Sequence, residues 1–150
     1  MAFDAPSLKG RALRLLAQRE HSRAELERKL AKYEEEPGTL AQALDELAAR
    51  DFISEPRVVQ SVLHQRAGRM GAMRLKQELQ QKGIGAEAIA DAMAQLKSTE
   101  LERAREVWRR RFGQPPADAA ERAKQTRFLL ARGFSGEVVR RALSLPDDES

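Results

Sequence analysis

Apolar residues recur along this chain with the period of an α-helix. From Leu40 to Ala48 they stand at positions i, i+3, i+4, i+7 and i+8, which places them on one face of a helix. Shorter runs with the same spacing begin at Ile89 and at Val139. The alternation of apolar and polar residues that marks a half-buried strand is missing between the turn residues. The pattern therefore predicts an all-α protein.

Residues typical of helix starts precede several of these runs. Ser22 with Glu25, and Thr99 with Glu102, have the spacing of a capping box, in which a hydroxyl and a carboxylate bind backbone N–H groups of the first turn. The segment 54–56, Ser-Glu-Pro, is a further start signal, because proline is tolerated in the first turn. Glycine or proline separates one run from the next. Together these signals predict nine helices: 7–19, 23–33, 39–50, 55–68, 72–82, 86–96, 99–112, 117–131 and 136–144.

Part of the sequence repeats, and this divides the helices into groups of three. Residues 79–93 align with residues 129–143 at an offset of 50, without a gap. Both segments have a basic residue, a glycine and an apolar residue at the corner between two helices, and the glycine permits a left-handed exit from the first helix. We therefore expect Gly133→Val to destabilise the fold. The first third matches more loosely, because the acidic segment 34–38 replaces the basic corner.

The repeat predicts three tandem three-helix units of helix-turn-helix type, arranged in an elongated, curved array. A chain of 150 residues is long enough for one domain or a short array of small modules. We expect the units to span 7–53, 54–98 and 99–145, and an acidic tail to occupy 146–150.

Charge is distributed unevenly along the chain, although the net charge is only +4. Residues 1–50 contain nine basic and nine acidic side chains, whereas residues 51–146 contain eighteen basic and eleven acidic ones. A basic body suggests a polyanionic partner such as nucleic acid. Charge alone leaves a merely solvated helical surface equally open.

Residues that would support catalysis or hold a cofactor are not assembled in this sequence. There is no cysteine, and neither His21 nor His64 has a partner at the spacing of a metal site or a catalytic triad. The acidic segment 34–36 is interpreted as a solvated turn, and the pair Gly83-x-Gly85 lacks the rest of a dinucleotide loop. We predict that the protein is not an enzyme and binds no metal or cofactor. Without a signal sequence or an apolar span, it is expected to be cytoplasmic.

Basic residues near the helix corners are the candidates for contact with a polyanion. Trp108 is interpreted as a core residue, since it follows Leu101 and Ala104 at helical spacing. The three arginines after Trp108 fan around the helix, so only one or two of them can face one ligand. Phosphate contacts would give weak, salt-dependent binding without sequence preference. The candidate DNA- or filament-binding residues are Arg66, Arg69, Arg74, Lys76, Lys82, Arg110, Lys124, Arg127, Arg132, Arg140 and Arg141.

Four segments in order resemble motifs of the RecX family, and together they cover about residues 8–144. They are Ala12-Leu13-Arg14-Leu15-Leu16-Ala17-Gln18-Arg19 with Ser22-Arg23-Ala24-Glu25-Leu26-x-x-x-Leu30, Leu44-x-x-Leu47-x-x-x-x-Phe52-Ile53-Ser54-Glu55, Arg66-x-x-x-x-Gly71-x-x-x-Leu75-x-x-x-Leu79-x-x-Lys82-Gly83-Ile84, and Phe128-Leu129-x-x-Arg132-Gly133-Phe134-Ser135. The sequence departs from the family at Glu55 and Val58, where an Asp and an aromatic residue are frequent. Neither departure changes charge or apolarity.

The resemblance implies tandem three-helix repeats and a regulatory function. Members of the family bind the RecA recombinase and its filament on single-stranded DNA, and they suppress strand exchange, ATP hydrolysis and co-protease activity. The resemblance therefore implies two partners, the RecA filament and single-stranded DNA, and a role in regulating DNA repair. We expect the protein to be a monomer. Two alternatives remain open at this stage: a stand-alone helix-turn-helix DNA-binding regulator, and a helical scaffold for another protein.

Overall fold

The computed structural model describes residues 6–144, and the part of the chain that it describes is helical without a β-strand. A short 3₁₀ turn, Ala31–Tyr33, follows the second helix. The all-α prediction is therefore confirmed, and the predicted acidic tail at 146–150 lies outside the described residues. The helices are α1 Leu8–Gln18, α2 Arg23–Leu30, α3 Thr39–Ala49, α4 Glu55–Arg66, α5 Ala72–Gln81, α6 Ala86–Lys97, α7 Glu100–Arg111, α8 Ala119–Ala131 and α9 Gly136–Ala142.

Helix starts follow the capping signals at two of the three predicted positions. Ser22 and Glu25 form the complete capping box, and the Ser54 hydroxyl accepts a hydrogen bond from the backbone N–H of Arg57. The capping box at Thr99 is wrong, because the Thr99 hydroxyl donates to the carbonyl of Leu96 instead of capping α7. The start of α8 moves from 117 to 119, because the Asp118 carboxylate caps that helix.

The described residues contain three separate hydrophobic cores, which correspond to three groups of helices. We name these groups repeat 1 (α1–α3), repeat 2 (α4–α6) and repeat 3 (α7–α9). Each core contains residues from one repeat only, and fully buried side chains such as Leu44, Leu75 and Leu129 lie at the three centres. The predicted fold of tandem three-helix repeats is therefore confirmed. None of the helices in residues 6–144 is long and apolar enough to cross a membrane.

Each later repeat packs on the preceding one through the glycine corner between its last two helices. Gly83 has a φ of 73°, and a Cβ added there would lie 2.7 Å from the Cβ of Ala24 in α2. Gly133 has a φ of 95°, and a Cβ added there would lie 2.4 Å from the Cβ of Arg74 in α5. Both contacts join residues whose numbers differ by 59, so the two joints between repeats are equivalent.

Glu25 closes the first joint, between repeats 1 and 2. Its side chain is 8% exposed and accepts hydrogen bonds from the Arg19 guanidinium at 2.7 Å and the Ser22 backbone N–H at 3.0 Å. Its other contact is an ion pair with Lys82 of the repeat 2 corner, at 3.2 Å. Burial would raise the pKa of Glu25, but hydrogen bonds from Arg19, Ser22 and Lys82 outweigh burial and lower the pKa to about 2.

His21 lies buried beside this ion pair and has a structural role. One ring nitrogen, Nδ1, bonds to the carbonyl oxygen of Arg19 at 3.1 Å, and the other, Nε2, is 3.1 Å from the Lys29 ammonium. Burial lowers the pKa of His21, which keeps the ring neutral. A neutral ring with its proton on Nδ1 donates to the carbonyl and accepts from Lys29. The ring therefore ties the turn before α2 to the body of that helix.

Arg103 closes the second joint, between repeats 2 and 3. Its guanidinium donates to the carbonyl oxygens of Ala67 at 3.1 Å, Met70 at 2.6 Å and Leu96 at 3.1 Å, so it binds the ends of α4 and α6 to α7. The corner carbonyl of Arg132 also accepts from the backbone N–H of Gly71 at 2.7 Å. Burial lowers the pKa of Arg103. Because its guanidinium is engaged in these hydrogen bonds, Arg103 binds carbonyls at helix C-termini inside the joint.

Candidate nucleic-acid interface

A groove of about 550 Å³ runs along the second joint, between the end of α4 and one face of α7. The α7 residues along it are 102, 103, 105, 106, 109 and 110, which share one face because they follow helical spacing. Five of the side chains lining the groove are arginines, of which Arg103 binds backbone carbonyls of the joint, and the only carboxylates among its lining residues are Glu102 and Glu106. Glu106 pairs with Arg109 at 3.0 Å and with Arg110 at 3.2 Å. The groove is therefore basic, although part of its charge is neutralised.

A second groove of about 250 Å³ continues this surface toward the end of α8. Four arginines line it, namely Arg69, Arg110, Arg111 and Arg132, together with the small or apolar residues Gly68, Val107 and Phe128. No carboxylate is among these lining residues. The two grooves share Gly68, Arg69 and Arg110, and we name the combined surface the junction groove.

The aromatic ring of Phe128 holds two of these arginines in place. The Arg132 guanidinium lies 5.0 Å from the centroid of this ring, and the Arg111 guanidinium lies 5.4 Å from it. Phe112 packs edge-on against Phe128, with ring centroids 5.4 Å apart. Cation–π contacts of this kind orient a guanidinium without neutralising its charge. Arg111 and Arg132 can therefore present their N–H groups to an anion at a defined place.

The three consecutive arginines of α7 divide between the two parts of the junction groove. Arg109 lines the first part, Arg111 lines the second, and Arg110 lines both. This distribution follows from the 100° rotation per residue of an α-helix. Trp108, which precedes them, packs against the core of repeat 3, and its indole N–H donates to Gln125 at 2.8 Å.

The remaining candidate cations lie outside the junction groove. Arg66 lines an adjoining groove with Arg69 and pairs with Glu78 at 3.1 Å. Lys82 has a different role, because it is 16% exposed and pairs with Glu25 inside the first joint. The other six are exposed on α5, α8 and α9 and do not line these grooves: Arg74, Lys76, Lys124, Arg127, Arg140 and Arg141.

Sequence reasoning missed four residues of this surface: Arg103, Arg105, Arg109 and Arg111. A signal for part of the set was available, since Arg105 and Arg109 follow the helical spacing i, i+4, and Arg103 and Arg110 follow the spacing i, i+7. No sequence signal showed that the end of α4 faces them. Over residues 6–144, no cluster of three His, Asp or Glu side chains could hold a metal ion.

Three family models match the chain, one for each repeat. They are described as the first, second and third three-helix domains of RecX, and they match residues 9–47, 54–93 and 98–143. Each match falls within one repeat of the structure, apart from one residue before α4, two residues before α7 and one residue after α9. The repeat that is hard to see in the first third of the sequence is thus present in the family as well.

Several relatives are similar to this chain over nearly its whole length. A protein of Leptothrix cholodnii named "Regulatory protein RecX" is 59% identical, covering 99% of this chain and 96% of its own. A protein of the same name from Ralstonia nicotianae is 51% identical, covering 94% and 89%. The crystal structure of RecX from Lactobacillus salivarius has a TM-score of 0.77 at 20% identity and covers 91% of this chain and 92% of that chain. That last likeness concerns the fold alone.

Proposed function

The chain belongs to the RecX family, and from that premise we propose that it regulates DNA repair by binding the RecA filament on single-stranded DNA. In this proposal it suppresses the recombinase, ATPase and co-protease activities of RecA by contact. The observation that carries the proposal in this chain is the junction groove, where Arg69, Arg110, Arg111 and Arg132 line one concave surface without a carboxylate in its second part.

Arginine is suited to the phosphate groups of such a filament. Its planar guanidinium donates to two phosphate oxygens at once and remains charged at any physiological pH. Each phosphate that is neutralised releases condensed counterions, so several arginines in one groove give binding that falls steeply with salt. The junction groove therefore supports contact with the backbone of nucleic acid.

The same groove offers little for reading bases. The chain contains no asparagine, and the residues that line the groove are mainly arginine and glutamate. Contacts to phosphate position a protein without specifying sequence. We therefore propose weak, sequence-independent binding to single-stranded DNA, with much of the specificity for the filament coming from the recombinase itself.

Several narrower statements belong to the same proposal. The protein acts as a cytoplasmic monomer and as a binding protein without catalysis. Its units span 7–53, 54–98 and 99–145, followed by the acidic tail at 146–150. The support for a role without catalysis is chemical, since its two histidines lie in different repeats and the chain has no cysteine nucleophile.

The experiment adds the purified protein to RecA filaments on single-stranded DNA. ATP hydrolysis and strand exchange are measured over a wide range of concentrations. We expect both rates to fall, and unchanged rates at a large excess of the protein would contradict the proposal. Arg69→Ala with Arg110→Ala should weaken the inhibition. Arg50→Ala with Lys97→Ala, which removes two exposed cations elsewhere, is the matched control and should leave it intact.

The alternative function, a stand-alone helix-turn-helix regulator of transcription, makes a different prediction. It requires one DNA sequence to be bound at least about 10³-fold more tightly than random DNA. Selection from random duplex oligonucleotides distinguishes the two functions. A recovered consensus would support the alternative, and the absence of any consensus would support the filament regulator.

A further inference from the structure

A second basic groove lies in repeat 1, a region whose acidic and basic residues are equal in number. It has a volume of about 540 Å³ and lies between α1, the end of α2 and the 3₁₀ turn. We name it the repeat 1 groove. Its lining residues are Arg11, Arg14, Leu15, Gln18, Arg28, Lys29, Leu30, Lys32 and Tyr33.

Among residues 6–144, five cations and no carboxylate line the repeat 1 groove. Arg11, Arg14, Leu15 and Gln18 share one face of α1 because they follow the spacing i, i+3, i+4 and i+7. Some acidic residues of repeat 1 are paired elsewhere, such as Asp45 with Arg23 and Glu46 with Lys9. Two others, Glu35 and Glu36, line an adjoining groove that shares Arg11, Lys32 and Tyr33 with the repeat 1 groove.

None of these five cations forms an ion pair with a carboxylate among the residues that the structure describes. Lys29 bonds to the neutral ring of His21, and Arg11 lies over the ring of Tyr33. Arg14 and Arg28 are exposed and have no carboxylate partner in residues 6–144. Five cations without an ion-pair partner on one concave surface attract a polyanion.

Tyr33 adds a flat aromatic surface to the repeat 1 groove. It is 38% exposed, although large apolar side chains in this chain are mostly buried. The Arg11 guanidinium lies 3.7 Å from the centroid of its ring, and the Lys32 ammonium lies 5.2 Å from it. Nucleobases stack both on aromatic rings and on arginine planes. The Arg11–Tyr33 pair therefore presents a planar surface to a base, beside cations that can hold its phosphates.

We propose that the repeat 1 groove is a second binding site for single-stranded nucleic acid, in which a base stacks on the Arg11–Tyr33 pair. This inference rests on the proposed function in one respect, namely that single-stranded DNA is a ligand of the protein. It adds a site that is distinct from the junction groove, whose aromatic residue Phe128 is less exposed than Tyr33. The junction groove holds phosphates, whereas the repeat 1 groove holds phosphates and a base.

The combination of cations with a planar ring favours nucleic acid over an acidic protein segment. An acidic peptide would use the charge but has no planar group that needs the Arg11–Tyr33 stack. Sites for single strands without sequence preference typically combine a basic groove with aromatic rings. Binding of a nucleic acid should weaken when its bases are removed, whereas binding of an acidic peptide involves no base. This difference provides the test.

Tyr33 is the single tyrosine of the chain, which permits a direct measurement. The protein is produced with 3-fluorotyrosine, so that one ¹⁹F resonance reports on the repeat 1 groove. It is titrated with an oligothymidine of about 12 nucleotides, with an abasic oligomer having the same number of phosphates, and with a poly-glutamate peptide. We expect a large change in chemical shift with oligothymidine and a smaller change with the abasic oligomer.

Two results of this titration would overturn the proposal. One is a resonance that stays in place while fluorescence anisotropy shows the oligothymidine to be bound, because the strand would then lie elsewhere on the protein. The other is an equal or larger change with poly-glutamate, which would assign the groove to an acidic protein segment. These measurements use no RecA, so their outcome is independent of whether the protein inhibits the filament.

Variants of the aromatic ring test the stacking itself. Tyr33→Leu should weaken binding of oligothymidine by at least about fivefold and leave binding of the abasic oligomer unchanged, whereas Tyr33→Phe should retain the affinity. Phe52→Leu is the matched control, because Phe52 is a 45% exposed aromatic residue in the same repeat that does not line the groove. A stacked base would be contradicted if Tyr33→Leu lost the same affinity for both oligomers. It would also be contradicted if Phe52→Leu lost as much affinity for oligothymidine as Tyr33→Leu.

Discussion

Single residues at the joints show how charge is used inside this protein. Glu25 is nearly buried, yet it stays ionised because Arg19, Lys82 and the Ser22 backbone N–H all bind the carboxylate. The pKa of Glu25 therefore lies near 2 in the folded protein, below its usual value of 4.5. A group whose pKa is lower in the folded state contributes stability above its unfolded pKa. That contribution is lost as the pH falls from about 4.5 toward about 2.

The first prediction concerns this carboxylate. Glu25→Ala leaves Lys82 poorly solvated and without its partner, so we expect it to lower the free energy of unfolding by about 3 kcal/mol at neutral pH. The loss should diminish between about pH 4.5 and about pH 2, where the wild-type carboxylate also becomes neutral. Urea denaturation of both proteins across this range is the measurement.

Glu27→Ala is the matched control for this prediction. Glu27 lies in the same helix and pairs with Arg23, but its side chain is 52% exposed. Removal of an exposed ion pair costs about 0–1 kcal/mol. If Glu25→Ala were no more destabilising than Glu27→Ala, the proposed role of Glu25 in the joint would be wrong.

At the scale of elements, the repeated glycine corner has a role beyond ending a helix. The positive φ of Gly133 agrees with the left-handed exit expected from the sequence. The structure adds that the corner lies against the backbone of Arg74 in the preceding repeat, where a Cβ would come within 2.5 Å of the backbone nitrogen. Gly71 faces the same joint from the other side, and a Cβ there would lie 2.4 Å from the carbonyl carbon of Gly133.

Three glycine substitutions separate backbone strain from steric overlap. Gly38→Ala introduces strain only, since its φ is 90° and a Cβ would meet nothing within 4 Å, and it should cost about 1–2 kcal/mol. Gly71→Ala introduces overlap only, because its φ of −81° suits any residue. Gly133→Ala introduces both, so we expect it to be the most destabilising of the three in thermal denaturation.

The pattern of these losses tests the joint. We expect Gly71→Ala to loosen the contact between repeats 2 and 3, because the overlap is with backbone atoms that cannot rotate away. Equal stability of Gly71→Ala and wild type would mean that the two repeats are not in contact at this corner. A loss in Gly133→Ala no larger than in Gly38→Ala would lead to the same conclusion.

At the scale of the whole molecule, many of the basic residues in the described part of the chain are concentrated in two grooves, and the rest are scattered. The junction groove lies where repeats 2 and 3 meet, and the repeat 1 groove lies within a unit that looks neutral in the sequence. Exposed cations outside these grooves, such as Arg140 and Arg141 on α9, have the same charge but do not line a groove with other cations. A concave surface with one sign of charge concentrates a polyanion more effectively than scattered charges do.

The salt dependence of binding provides a prediction for the junction groove. The logarithm of the affinity for single strands falls with the logarithm of the salt concentration by about 0.7 for each phosphate contacted. Arg69→Ala with Arg110→Ala should therefore reduce this slope by about 1.4, measured by fluorescence anisotropy with oligothymidine. Arg140→Ala with Arg141→Ala removes the same charge and should leave the slope nearly unchanged. The opposite result would place the strand on α9.

The sequence predicted nearly all of the helices, because their signals are local. The capping box at Ser22, the Ser54 start and the glycine corner at Gly133 each act within one or two turns of helix. The failure at Thr99 has a tertiary cause, since Arg103 donates to the Thr99 hydroxyl at 3.1 Å while its guanidinium binds carbonyls of repeat 2. The unit bounds and the residues that contact a partner remain predictions.

The sequence by itself determined an all-α chain with a repeated unit, because periodicity and caps depend on neighbours a few residues apart. Only the tertiary structure decided which cations lie together. Arg69 and Arg110 are far apart in the chain but line the same groove, because the second joint places the end of α4 beside α7. Lys82 was a candidate cation in the sequence as well, yet its side chain is only 16% exposed and pairs with Glu25. The orientation of one repeat on the next decides such differences, and it depends on long-range packing that no local pattern records.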